Sequence, residues 1–364
     1  MSGQGEDAVE GVLVVDKPRG PTSHDVVSRM RRALGTRRIG HAGTLDPMAS
    51  GVLVILVGEA TKLAGYLTAH DKRYVARVAL GAGTDTLDAE GEVTETGAIP
   101  GWLAGELGAL AAVAASEKGL WAEGEVAARA PGIAAAIAGE LGRREQVPPA
   151  HSAIQVGGQR SYALARAGRE VELPARPVEV RALSLRGVTL GSETQGAMGA
   201  MGAMDAMGAM AEIEVEIEVT KGYYVRSLAR DLGVRLGVPA HLTALRRTAS
   251  GAFTIDRALS PDAGSEALRA ALLPVAEAAA IGLPTARLTE AGARRARQGQ
   301  RITVADFEAA PPVGAAQEEP AAAAWLAPDG GVVAVGSARM EGGEPRFSVL
   351  RGFSGSRAVE QPDS

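Results

Sequence analysis

The clearest pattern in the chain is a run in which apolar and acidic residues strictly alternate. It covers residues 211–219, Ala-Glu-Ile-Glu-Val-Glu-Ile-Glu-Val, and predicts a strand with one buried and one wet face. Residues 72–80 also have strand composition, and one of their faces would carry Tyr74, Ala76, Val78 and Leu80. Further strands are predicted in the apolar stretches 11–15, 52–57 and 178–190.

Helical periodicity is strongest in two segments. Thr22 or Ser23 can cap a helix that runs to about Leu34, because apolar residues recur on one face of that segment. A second helix follows Val225, with its apolar face formed by Val225, Leu228, Leu232 and Leu236. Weaker patterns predict a helix around 60–67, helices within the Ala/Gly-rich stretch 97–145, and a short helix over 240–250 that ends in Arg246-Arg247.

These elements predict one large and one small domain. A chain of 364 residues can bury a sizeable core, and we expect a large domain over 11–282 and a small β-rich domain over 283–353. The ends, 1–10 and 354–364, are expected to be disordered. The Gly-Ala-Met repeat of 196–210 predicts a flexible loop between two strands, since glycine weakens any helix there.

Composition narrows the functional classes. The chain has no cysteine and five scattered histidines, which excludes thiolate chemistry and gives no pair at metal-ligand spacing. No apolar run approaches the length of a membrane span, and the polar, acidic start is unlike a signal peptide. We therefore expect a cytoplasmic protein without a metal and without membrane contact.

The net charge of −5 hides two basic regions. Residues 11–77 carry a net charge of +6 and residues 221–247 one of +5, whereas residues 84–145 carry −7. Local patches set the attraction to phosphate, so a nucleic-acid partner is compatible with the acidic total. Any single arginine of these regions could equally belong to a solvated helix face.

One carboxylate, Asp46, lies in the small-residue run 38–51, Arg-Ile-Gly-His-Ala-Gly-Thr-Leu-Asp-Pro-Met-Ala-Ser-Gly. Its glycines accept backbone angles closed to other residues and permit a close approach to the main chain. Pro47 disfavours helical geometry at Asp46, so we expect the carboxylate in a turn or extended segment beside the strand 52–57. Gly-rich turns containing Asp are commonly only turns, and a functional interpretation needs other motifs.

Several separate motifs supply that support by their identity and order. They are Asp16-Lys17-Pro18, Gly40–Pro47 with Ser50–Leu53, Gly58–Lys62, Lys72-Arg73-Tyr74, Lys221–Arg226, Asp231-Leu232-Gly233 and Leu245-Arg246-Arg247. Together they closely resemble the bacterial tRNA pseudouridine synthases of the TruB family. The resemblance covers 11–95, 146–190 and 211–257 well, and the C-terminal part faintly.

The resemblance implies an isomerase that turns uridine 55 of the tRNA T-loop into pseudouridine. The uracil would leave C1′, turn, and rejoin through C5, with no cofactor and no metal. Asp46 would act on the ribose, either by attacking C1′ or by abstracting the 2′ proton. Arg226 would keep that carboxylate ionised in a dry pocket, and Tyr74 would stack on the uracil and could assist removal of the C5 proton.

The resemblance also implies the RNA contacts and the fold. Tyr224 and Leu245 would wall the base pocket, and His41 would fill the gap left by the flipped uridine. Further substrate contacts would come from Lys17, Lys62 and Lys221. The implied fold is α+β, with Asp46 in a cleft across a mixed, largely antiparallel sheet and a PUA-like RNA-binding module at 283–353. The expected partner is the tRNA T-arm, bound by a monomer.

Departures and alternatives accompany this interpretation. Family members usually carry an aromatic residue at the position of His151 and a basic one at that of Gln155, so RNA contacts there could be weaker or replaced, for instance by Arg160. The insertions at about 104–140 and 196–210 have no assigned function.

Two alternative functions would share several of these features: a tRNA-binding folding factor with lost catalysis, and a hydrolase that uses Asp46 as nucleophile. Glycosidases normally need two flanking carboxylates, and no second motif acid is evident.

Overall fold

The computed structural model describes residues 9–114, 121, 123–152, 154–156, 158–161, 164, 173–191, 211–313 and 322–354. Its strands are β1 (Gly11–Lys17), β2 (Ile39–Ala42), β3 (Ala49–Val57), β4 (Lys72–Leu80), β5 (Ala82–Thr84), β6 (Val93–Thr96), β7 (Glu145–Gln146), β8 (Gln155–Val156), β9 (Gln159–Arg160), β10 (Arg176–Pro177), β11 (Val180–Leu190), β12 (Ala211–Val219), β13 (Ala240–Ser250), β14 (Phe253–Thr254), β15 (Thr285–Leu288), β16 (Phe307–Ala309), β17 (Ala322–Leu326), β18 (Val332–Glu341) and β19 (Glu344–Gly352). Its α-helices are α1 (Ser23–Leu34), α2 (Ala64–Thr68), α3 (Gly101–Ala114), α4 (Glu123–Arg129), α5 (Pro131–Leu141), α6 (Val225–Leu236), α7 (Ser265–Ala270), α8 (Val275–Gly282) and α9 (Glu290–Arg297). Short 3₁₀ helices cover Gly58–Leu63, Ile255–Arg257 and Val304–Asp306.

The chain forms two compact units, each built from segments that are not continuous in sequence. The first unit takes the chain up to Asp46, then Gly51–His70, and the chain from Ser250 onward. The second unit takes Pro47–Ser50 and Asp71–Ala249. The chain therefore passes from one unit to the other directly after Asp46.

In the first unit, β3 pairs antiparallel with both β1 and β2. Helix α1 follows β1 and begins at a capping box, in which Thr22 and Asp25 satisfy each other's backbone N–H groups. Of the two predicted caps the structure uses Thr22. The helix buries Val26, Val27, Met30 and Leu34, the face predicted from the sequence, and ends at Gly35 in the left-handed conformation.

The C-terminal part of the first unit is a five-stranded sheet in the order β16-β15-β17-β18-β19, in which β15 and β17 are parallel. One side of this part has its own aromatic core, where Trp325 meets Phe307 edge to face and Phe347 packs beside them. Other residues, including Val335, join the core cluster that contains Val54 of β3. The C-terminal sheet therefore completes the core of the N-terminal strands.

In the second unit, strands are hydrogen-bonded in the order β13-β4-β12-β11. Strand β12 pairs antiparallel with β4 and β11, and its apolar residues are buried, as the alternation predicted. Its acidic residues lie on the other face beside arginines of the neighbouring strands. Arg77 Nε is 2.8 Å from Glu214, Arg73 Nη2 is 2.9 Å from Glu218, and Arg186 also reaches Glu214, at 3.5 Å. The acidic run is thus neutralised across the strands.

Residues 240–250, predicted as a short helix, form strand β13, so that prediction is wrong. Leu245, Arg247 and Ala249 alternate into the buried face of the strand, which lies beside β4. Alanine, leucine and arginine favour a helix locally, but pairing in a sheet overrides this weak preference. The correction matters for the site: Arg247 is 1% exposed and therefore does not lie at a solvated helix end.

Several expectations concern residues that lie outside the described ranges. These are the Gly-Ala-Met repeat at 196–210 and nearly all of the predicted disordered ends. The predicted domain boundaries stay predictions.

Candidate functional site

Asp46 lies on the loop that joins β2 to β3. Gly43 and Gly51 on either side have φ angles of +88° and +102°, which only glycine adopts easily. The hydroxyl of Ser23 on α1 donates to Leu45 O at 3.0 Å and accepts from Leu45 N at 2.9 Å. Leu45 and Met48 are buried while the intervening Asp46 is partly exposed. The loop is therefore fixed through its backbone and presents a carboxylate.

His41 lies on β2 opposite Ile55 of β3. Its ring packs edge-on against the ring of His24, with the centroids 5.6 Å apart. Since His24 belongs to α1, this contact links the helix to the strand that leads into the Asp46 loop.

Lys17, predicted to bind the substrate, is fully buried at the end of β1. Its ammonium donates to Pro18 O at 3.0 Å and to Pro21 O at 2.7 Å. These bonds close the turn between β1 and α1. A buried ammonium without hydrogen-bond partners would be costly. Lys17 finds its acceptors in these two carbonyls and thereby fixes the main chain of the turn.

Lys62, also predicted to bind the substrate, belongs to a cluster around Glu59. Its Nζ lies 2.6 Å from Glu59 and 2.8 Å from Gly352 O, and it sits over the ring of Phe353. Burial alone would raise the pKa of Glu59, but hydrogen bonds from Lys62, the Ser354 N–H and Arg38 lower it to about 2. A cavity of about 540 Å³ lies beside this cluster, lined by Thr61, Lys62, Ala64, Gly65, Tyr66, Leu350, Arg351 and Gly352.

In the second unit, Tyr74 lies on β4 opposite Ile217 of β12 and is 7% exposed. Leu245 on β13 is buried to a similar degree. Both therefore belong to the buried face of the sheet, as strand residues commonly do. An apolar wall of this kind is also what an inserted base would require.

Arg226 lies in the first turn of α6 and is 7% exposed. Its guanidinium donates to Thr86 O at 3.1 Å and to His151 O at 2.8 Å, and Nη1 lies 3.7 Å from Asp88 Oδ2. Asp88 is buried and accepts from the Thr86 hydroxyl at 2.7 Å. A planar guanidinium can serve several such acceptors at once, so Arg226 joins two loops to α6.

Tyr224 occupies the N-cap position of α6 and is partly exposed. The side-chain amide of Gln146 accepts from Tyr224 N at 2.8 Å and donates to Tyr224 O at 3.2 Å. The Gln146 side chain thus makes the pair of backbone hydrogen bonds that a residue of a neighbouring strand would make. Lys221, three residues earlier, is exposed on the preceding turn. The start of α6 therefore brings together Lys221, Tyr224 and Arg226.

Lys72, which is partly buried, and Arg247, which is buried, add to the positive charge of the second unit. Burial and the charge of Arg247 lower the pKa of Lys72 to about 8. The basic character predicted for 221–247 thus rests partly on buried arginines, Arg226 and Arg247, rather than on a solvated surface.

Sequence reasoning missed Asp88 and Gln146. Neither residue is given a role by the sequence analysis. Both are buried polar residues with partners about 80 to 140 positions away in the chain. The departures at His151 and Gln155 are placed differently: His151 offers its carbonyl to Arg226, whereas Gln155 is exposed on β8.

Among the described residues, no group of three or more His, Asp or Glu side chains could hold a metal ion. Within those same residues, no helix is both long enough and apolar enough to cross a membrane.

Family models match most of the chain. Residues 31–104 and 115–225 match the model described as TruB family pseudouridylate synthase (N terminal domain). Residues 226–279 match the tRNA pseudouridylate synthase B C-terminal domain. The segment 105–114, which forms most of α3, falls between the matched stretches.

Curated relatives match over nearly their full length. The tRNA pseudouridine synthase B of Thermobifida fusca (strain YX) is 41% identical over 336 residues, which cover 92% of this chain and 97% of the relative. The protein of the same name from Leifsonia xyli subsp. xyli (strain CTCB07) is 43% identical over 339 residues, with 93% and 95% covered. That from Nocardia farcinica (strain IFM 10152) is 45% identical over 294 residues, with 81% and 82% covered.

Solved structures share the fold at low sequence identity. One, described as "Structure of H/ACA RNP bound to a substrate RNA containing 2'-deoxyuridine", superposes with a TM-score of 0.63 at 21% identity and covers 94% of this chain and 84% of that one. Another, "Crystal Structure of a Cbf5-Nop10-Gar1 Complex", gives 0.62 at 22% identity with the same coverage. The likeness confirms the fold class predicted from the sequence.

Proposed function

Because the chain belongs to the TruB family of pseudouridylate synthases, we propose that it isomerises uridine 55 in the T-loop of tRNA. The observation that carries the choice of substrate is the likeness to tRNA pseudouridine synthase B of Thermobifida fusca, which is 41% identical over 92% of this chain. The enzyme acts as a monomer on the T-arm, in the cytoplasm, where its substrate is found.

The reaction needs no co-reactant. The N1–C1′ bond of the uridine breaks, the uracil turns, and a C1′–C5 bond forms. The proton on C5 is lost and N1 gains one, so product and substrate have the same composition. A carboxylate that acts on the ribose and a base that accepts the C5 proton are the groups required.

Asp46 supplies the carboxylate, either as a nucleophile on C1′ or as the base that removes the 2′ proton. Its partly exposed position on a fixed loop supports this role. Arg226 supplies the positive charge that stabilises this carboxylate when RNA excludes water, and because Arg226 is buried, its electrostatic interactions are weakly screened. Tyr74 stacks on the uracil and assists removal of the C5 proton.

The uridine leaves the T-loop stack to reach these groups. His41 fills the vacated position, and Tyr224 and Leu245 wall the base. Lys221, which is exposed, and Lys62 bind phosphates of the RNA. Lys17 contributes through the turn that it closes, because its ammonium is buried against two carbonyls.

Asp46→Asn tests the assignment. The substitution keeps the volume and removes the charge, so single-turnover formation of pseudouridine in an unmodified tRNA transcript should fall below detection, while the tRNA Kd changes by no more than about three-fold. Asp262→Asn, at a carboxylate that is 71% exposed, is the matched control and should keep the full rate. A transcript with cytidine at position 55 checks the target site.

Pseudouridine at another position would overturn the T-loop assignment alone. An active Asp46→Asn enzyme would overturn the catalytic role of Asp46. Tight tRNA binding without any pseudouridine in the wild type would favour the folding factor.

A further inference from the structure

Glu140, in the last turn of α5, is a carboxylate that the proposed reaction does not use. Its side chain is 0% exposed. It accepts from the Tyr223 hydroxyl at 2.9 Å and from Arg143 Nη2 at 2.7 Å, and Arg235 Nε lies 3.6 Å away. A buried carboxylate is costly unless donors surround it, and here a phenol and two guanidiniums do so.

The partners of Glu140 spread along the whole of α6. Tyr223 directly precedes the N-cap residue Tyr224, and Arg235 lies in the last turn of the helix. Arg143 bridges to the middle of the helix, with Nη2 3.2 Å from Asp231 Oδ2. Arg235 also donates to Gly139 O at 2.9 Å. The end of α5 is therefore tied to α6 at its start, middle and end.

The tie at the start adjoins the proposed site. Tyr223 is next to Tyr224 and three residues from Arg226, and the N-cap residue Tyr224 makes no side-chain capping bond of its own. The position of the first turn must then come from outside the helix. Burial and the charge of Glu140 raise the pKa of Tyr223 well above its usual value, as expected for a phenol that donates to a buried carboxylate.

We infer, on the basis of the proposed function, that Glu140 is a positioning residue for the isomerisation. Through the Tyr223 hydroxyl it fixes the first turn of α6, and with it the side chains of Tyr224 and Arg226. Arg143 and Arg235 both lie beside this carboxylate, and a hydrogen bond from a hydroxyl to a carboxylate is stronger than one between neutral groups.

The opposite end of α5 offers a matched control. Glu106 of α3 accepts from Gly132 N and Ile133 N, both at 2.9 Å, and so caps α5, which has no side-chain cap at its N-cap residue Ala130. Glu106 lies in the segment 105–114, between the stretches matched by the family model. Its loss should loosen α5 without removing any bond to α6.

The experiment compares Tyr223→Phe and Glu140→Gln with Glu106→Gln. Single-turnover rates at saturating enzyme should fall about ten-fold in the first two and by less than about two-fold in the control, while the tRNA Kd stays within about two-fold in all three. The melting temperature should fall in Glu106→Gln at least as far as in Tyr223→Phe. The double variant Glu140→Gln/Tyr223→Phe should be no slower than Glu140→Gln, because both act through one bond.

Amide hydrogen exchange over residues 221–228 gives a readout that does not depend on catalysis. It should be faster in Tyr223→Phe and unchanged in Glu106→Gln. Unchanged exchange in Tyr223→Phe, or rates that follow the melting temperature equally in all variants, would overturn the inference. Faster exchange with a full rate would also overturn it. If Arg226→Lys then kept the full rate too, the failure would lie in the proposed role of Arg226.

Discussion

The Asp46 loop and the start of α6 carry the proposed catalytic charges, but they are held in different ways. The loop is fixed by a neutral hydroxyl, Ser23, which bonds to the backbone of Leu45, and by glycines in left-handed conformations. The start of α6 is fixed by polar side chains and carbonyls from distant segments, namely Asp88, Glu140, Gln146, Thr86 and His151. The Ser23–Leu45 bonds span 22 positions of the chain, whereas the bonds of Arg226 at the start of α6 span 75 and 140 positions.

Among the variants that test this comparison, Arg226→Lys should have the largest effect on the reaction rate. Lysine keeps the charge but lacks the planar fork that serves Thr86 O, His151 O and Asp88 together. We expect the single-turnover rate to fall on the order of 100-fold, as for other lost contacts that position charge in a transition state. Arg230→Lys, at a side chain that is 32% exposed, should stay within about two-fold. Comparable losses of rate in both variants would show that replacing any arginine of α6 slows the reaction, and would contradict a specific role for Arg226.

Ser23→Ala tests the loop in the same way, with a smaller effect. The hydroxyl is buried and both donates to and accepts from the backbone of Leu45. Its removal leaves both groups unsatisfied and should lower the free energy of unfolding by about 1–3 kcal/mol, measured by urea denaturation. Ser348→Ala, at an exposed residue of β19, should change it by less than about 0.5 kcal/mol. Equal effects would mean that Ser23 does not hold the loop.

The cluster around Glu59 should give the smallest effect, visible as a dependence on pH. Its folded pKa of about 2 is below the ordinary value of 4.5, so its contribution to stability is complete above about pH 4.5 and is lost as the pH falls towards 2. Glu59→Gln should therefore lower the melting temperature at pH 6, and the difference from wild type should shrink on acidification. Glu308→Gln, at an exposed strand residue, is the control. A difference that is constant from pH 3 to 7 would contradict this account.

Local pattern was a good guide where one face of an element is buried and the other is wet. The alternation in 211–219 and the helical face from Val26 to Leu34 were predicted correctly, because each pattern repeats with the period of its element. Strand β13 was not, since alanine, leucine and arginine carry little strand preference and its place beside β4 decides its conformation.

The candidate residues divide along the same line. Motif identity and order pointed to Asp46, Tyr74 and Arg226, and these assignments remain proposals. The location of Lys17 could not be predicted, because a lysine next to prolines gives no sign that its ammonium is buried against Pro18 O and Pro21 O. Asp88 and Gln146 were missed for a related reason: their partners lie far away in sequence and follow no period.

The sequence by itself determined the family, the order of most strands and helices, and the placing of one carboxylate on a Gly-rich loop. These follow from residue identity and from periods of a few residues, which the chain carries locally. Only the tertiary structure decided that Glu140 meets Tyr223, that Asp88 meets Arg226, and that Arg247 is buried in a strand. Buried charges need partners wherever the fold can supply them, and no local pattern records which distant side chain that will be.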